Sequence, residues 1–136
     1  MKRHVGWLVA LAACLVVAVA FAHDEKDKTK PMAGMSTAKP QSLTGEVVDM
    51  GCYMAHEATG EKHLACATKC IANGMPMGLL TTDGKLYLIT LDHDNADPYN
   101  KCKDWAAKHV TLTGSVSERA GMRSIDVTAA QLAAAK

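Results

Sequence analysis

Between residues 43 and 128, apolar and polar side chains alternate in short runs, the period-two pattern of strands with one buried face. Residues 43–49, LTGEVVD, read as a first strand with Val47 and Val48 β-branched. Residues 78–82 and 85–90, GLLTT and KLYLIT, flank Asp83 and Gly84, predicting a hairpin with a two-residue turn and positive φ at both positions. Residues 109–116, HVTLTGSV, and 123–128, RSIDVT, give two further strands around a turn that contains Gly121.

Two stretches break the alternation. In 61–73, His63, Cys66 and Cys70 recur at i, i+3 and i+7 and so share one stripe of a helix, beside an apolar stripe of Leu64, Ala67 and Ile71. Asn73-Gly74 and then Pro76 supply the helix stop. A second short helix is expected over 98–108, carrying Cys102 and Trp105. The ending AAQLAAAK has helix propensity but little to pack against. Together these elements predict a mainly β domain over 42–129. It is a small five-stranded, OB-like, partly open barrel with a Cys/His-bearing helix inserted after the first strand, and 130–136 form a tail. Gly45 and Gly114 mark where the first and fourth strands bend.

Upstream, the pattern changes. Lys2, Arg3 and His4 precede an apolar run that ends in Ala20-Phe21-Ala22, ahead of His23-Asp24-Glu25, which is the form of a secretory signal peptide cleaved after residue 22. The run is short for a membrane span and has an acidic flank, so no span is expected once the leader is removed. Leu11-Ala12-Ala13-Cys14 has the form of a lipoprotein box, but the apolar and small residues from Leu15 to Ala22 disfavour anchoring through Cys14. Residues 23–41 are charged, small and proline-containing, a flexible linker in which His23, Met32 and Met35 are weak copper donors at most. The chain is thus expected to be exported, to the periplasm or beyond.

Charge narrows the partners. The whole chain has 15 Lys and Arg against 14 Asp and Glu, and Lys2 and Arg3 leave with the leader, so no basic block remains to track nucleic acid. Tyr53, Tyr87, Tyr99 and Trp105 are too few to stack bases. There is no phosphate-binding loop for a nucleotide, no Cys-x-x-Cys-His for haem attachment and no Ser/His/Asp array, and the Cys-x3-Cys spacing departs from that of disulfide oxidoreductases. A binding module rather than an enzyme is the expectation.

Cys52, Cys66, Cys70 and Cys102 remain, and an oxidising compartment keeps thiols only when they are paired, metal-bound or actively reduced. Two readings follow. In the first, Cys52, His63, Cys66 and Cys70 hold a soft transition metal, copper or zinc, with Met50, Met54 and His56 as further donors and Met75 and Met77 also near in sequence. In the second, Cys52 pairs with one of Cys66 and Cys70 and Cys102 with the other, because two cysteines on one helix face point alongside rather than at each other. The module would then be stapled and bind an envelope peptide, glycan or protein instead of a metal.

The run Gly45-Glu46-Val47-Val48-Asp49, Cys52-Tyr53, His63-x2-Cys66-x3-Cys70, Gly74-x-Pro76-x-Gly78-Leu79-Leu80, Asp83-Gly84-x-Leu86-Tyr87 and Val110-x-Leu112-x-Gly114 resembles a group of small exported bacterial domains of uncharacterised function. The resemblance covers about 43–127, implies an exported OB-like domain, supplies no reaction, and does not include Cys102.

Overall fold

The computed structural model describes residues 39–134. The leader expected at 1–22 with its Cys14, and the linker residues His23, Met32 and Met35, lie outside the described residues. Within them the chain forms β1 (Gln41–Asp49), α1 (Met50–His56), a 3-10 turn (Glu61–His63), α2 (Leu64–Ala72), β2 (Met77–Thr81), β3 (Leu86–Leu91), α3 (Asp97–Lys103), β4 (His109–Arg119) and β5 (Met122–Leu132). No helix among the described residues is long and apolar enough to cross a membrane.

The five strands make the expected OB-like barrel, and it is closed rather than partly open, in the order β1-β2-β3-β5-β4. Closure depends on β1 serving two neighbours along offset parts of its length. Its first half pairs with β4 and its second half with β2, and Gly45 stands in both ladders, opposite Val110 and Thr81. A Cβ on Gly45 would run into the Leu80 carbonyl, and one on Gly114 into that of Asp126, so both predicted bends are places where backbones approach too closely for a side chain. The ladder also shifts register between Thr113 and Gly114. The remaining seam is the parallel pairing of β3 with β5, which α3 and β4 make possible by carrying the chain across between them.

Several local expectations change. The β2–β3 hairpin is present, but its turn is Thr82-Asp83-Gly84 rather than two residues. The Thr81 N–H donates to the Lys85 carbonyl, the Gly84 N–H to the Thr81 carbonyl, and only Gly84 has positive φ, at 76°. The segment after β1, which carries Cys52, forms a helix of its own, α1, in addition to the two helices expected. The 61–73 helix is a 3-10 turn followed by α2. β4 and β5 each run to eleven residues, and β5 takes Ala130 to Leu132 into the sheet opposite Leu112 to Val110, overriding the helix propensity of the tail.

Val47, Leu79, Val110, Leu112, Ile125 and Val127 fill the barrel and are fully buried, each contributing about 1.5–3 kcal/mol of transfer free energy. Ala67 and Ile71 of α2 add to the same core, as do Cys102 of α3 and Ala106 just after it. Thus α2 lays its apolar edge on the barrel as its spacing predicts, and the opposite edge is left at the surface. Two carboxylates near the end of β1 are buried with this core, Glu46 and Asp49.

Candidate metal centre

Asp49 ends β1 and caps α1. Its Oδ1 accepts the Cys52 amide at 2.8 Å, satisfying one of the free N–H groups of the first helical turn. Glu46 plays a similar part nearby, accepting the Gly60 amide at 2.5 Å and so fixing the loop that leads into the 3-10 turn. From that turn His63 reaches back to Asp49, Nε2 to Oδ2, at 3.0 Å. In this pair Nε2–H donates to the carboxylate, which leaves the ring lone pair on Nδ1.

Cys52 sits in α1, and Cys66 and Cys70 sit on the surface edge of α2. The Cys52 and Cys66 Sγ atoms are 3.9 Å apart. Donor atoms of Cys52, His63 and Cys66 all lie within 4.8 Å of one another, and so do those of Asp49, Cys52 and Cys70. The four residues singled out from sequence are therefore gathered into two triads that share Cys52, and Cys70 enters through Asp49. Two thiolates bound to one tetrahedral ion with bonds of about 2.3 Å stand roughly 3.8 Å apart, which the Cys52–Cys66 separation already matches.

The electrostatics favour neutral thiols in the metal-free state. Burial pushes the Cys52 thiol up to about 12, helped by its contacts with Cys66 and with the Asp49 carboxylate. Cys70 is raised for the same first reason and by its contact with Cys66. Burial alone would raise Asp49 too, but the Cys52 amide and the His63 ring outweigh it and hold the carboxyl below its ordinary value. Thiols so raised are weak nucleophiles at neutral pH, whereas a soft cation can displace their protons.

The other sequence-predicted donors lie elsewhere. Met50 and Met54 line a groove of about 480 Å³ with Leu86, Leu88 and Met122. His56 is exposed at the last turn of α1. Met77 is core, 1% exposed. Cys102 is fully buried and donates its S–H to the Pro98 carbonyl at 3.2 Å, outside both triads. All four described cysteines are free thiols, so the predicted two-bridge pairing that used Cys102 is not formed. Sequence reasoning missed Asp49 as a site residue, although an Asp three residues before a cysteine at a strand end is an N-cap signal. Comparisons with family models, with curated proteins and with solved structures found no match, so no relative lends this site an activity.

Proposed function

We propose that this chain is an exported, non-enzymatic binding domain for a soft transition metal ion, copper or zinc. Cys52, Cys66 and Cys70 supply thiolates, His63 supplies an imidazole nitrogen, and Asp49 orients His63 and the start of α1. The observation that carries the reading is the position of Cys52, which belongs to both donor triads and lies 3.9 Å from Cys66. The ligand types suit both metals: thiolate and imidazole for four-coordinate zinc, and thiolate for cuprous copper. The leader-like first 22 residues support export, and the absence of basic blocks and nucleotide motifs supports a small cation as the partner.

The same short sulfur separation favours a competing reading, in which Cys52 and Cys66 close to a disulfide under oxidising conditions. A native intact mass of the mature protein, taken from the exported fraction without reductant or chelator, separates the two. Four reduced cysteines with one bound metal ion per chain is the expected result, lost on Cys52→Ser. A metal-free mass lighter by two hydrogens would reject the metal site in favour of a stapled module.

A further inference from the structure

Met75 lies over Gly51, the residue before Cys52, for reasons that packing of the core does not explain. Its amide donates to the carbonyl of Cys70 at 3.0 Å, and the carbonyl of the next residue, Pro76, accepts the amide of Met50 at 2.9 Å. The residue is thus pinned between the end of the helix that carries Cys66 and Cys70 and the start of the helix that carries Cys52. Met77, two residues on, turns into the barrel, but Met75 stays 37% exposed and lies across α1 at Gly51. The point where a Cβ would stand on Gly51 is 2.8 Å from the Met75 Sδ and 3.6 Å from Asp49 Oδ1.

Glycine inside a helix costs about 1 kcal/mol relative to alanine. Here any side chain would displace the thioether, so the unfavourable residue leaves room for sulfur beside the capping carboxylate and one residue from Cys52. Zinc takes nitrogen, oxygen and thiolate donors, whereas thioether joins thiolate as a ligand for cuprous copper. We propose that Met75 is a thioether ligand of the cluster and makes it prefer monovalent copper over zinc. This inference rests on the metal-site reading and narrows it to one ion.

The test compares Cu(I), delivered from a competing chelator, with Zn(II) on the full chain and on Met75→Leu, a near-isosteric change that the half-exposed position accommodates. The expected result is a loss in Cu(I) affinity of about ten- to a hundredfold, the scale on which changes around a metal site act, with Zn(II) affinity unchanged. In selenomethionine-substituted protein, X-ray absorption at copper should show a selenium neighbour that disappears in the variant. Equal losses for both ions, no loss, or no selenium neighbour would overturn the assignment of Met75 while leaving the thiol site standing. A parent chain that binds neither ion would overturn both, and Cys52→Ser distinguishes the cases, because it removes binding only where the thiol site exists.

Discussion

His63 Nε2 stands 3.0 Å from Oδ2 of Asp49, a carboxylate with no exposed surface. That one contact joins the end of β1 to the 3-10 turn before α2, and the other oxygen of the same carboxylate holds the first turn of α1. The two helices that carry Cys52, Cys66 and Cys70 are therefore positioned from a single buried side chain.

Replacing Asp49 should separate capping from metal binding. Asn caps a helix about as well as Asp, so Asp49→Asn should keep the fold, yet it removes the charge that orients His63 and should weaken metal binding by about ten- to a hundredfold. Asp49→Ala loses both contacts and should cost about 2.5–4 kcal/mol, from a cap of about 1 kcal/mol and a charge-assisted hydrogen bond of about 1.5–3 kcal/mol. Urea unfolding of the metal-free proteins, beside metal titrations, checks both; equal destabilisation by Asn and Ala would contradict the division of roles.

The same carboxylate makes a prediction about acid. Its value in the folded chain lies below the ordinary 3.8, so protons bind the unfolded chain more readily there. The stability it contributes is fully present above 3.8 and is lost as pH falls through the lower folded value. The stability gap between the parent chain and Asp49→Asn should accordingly shrink below 3.8, read by urea midpoints measured in steps of acid pH. A gap that widens with acid would reverse the sign and refute the account.

Metal uptake should release protons. With Cys52 pushed up to about 12 and Cys70 also raised, both thiols are protonated in the metal-free chain at neutral pH and must ionise to bind. Affinity should rise with pH by about two decades per unit around neutrality from these two groups alone. Calorimetry in buffers of differing ionisation enthalpy counts the protons directly, and binding without proton release would mean that these thiols are not the ligands.

The parts of this design that were legible in the sequence are those set by spacing within one segment. The i, i+3, i+7 placement of His63, Cys66 and Cys70 needs only helical periodicity, and the hairpin at Asp83-Gly84 needs only a local turn. What spacing could not supply comes from pairing between segments. Met75 comes to lie across α1 at Gly51 because Met50 bonds to Pro76 and Asp49 stands opposite Met77 in the β1–β2 ladder. Helix α1 was hidden because it is only seven residues long, contains Gly51, and buries none of its residues, so neither propensity nor a core face marks it. The tail of β5 reads as helix by composition, and its pairing with β4 overrides that preference.

Cys102 gives the clearest contrast between a core thiol and a surface one. It is fully buried, bonded to the Pro98 carbonyl, and pushed up to about 11 by burial, whereas Cys66 is exposed on α2. Cys102→Ala should therefore cost only about 1 kcal/mol, the loss of one small buried group, and leave metal stoichiometry unchanged. Were Cys102 instead half of a disulfide, its removal would cost about 2–4 kcal/mol and liberate a second thiol. Iodoacetamide labelling of the metal-free chain near neutral pH, followed by peptide mass analysis, reads the same distinction without mutation. Cys66 should react in the folded state, while Cys102 should react only as fast as the barrel opens and should catch up in denaturant. Labelling of Cys102 at the rate of Cys66 in the folded chain would place it outside the core and reopen its part in the site.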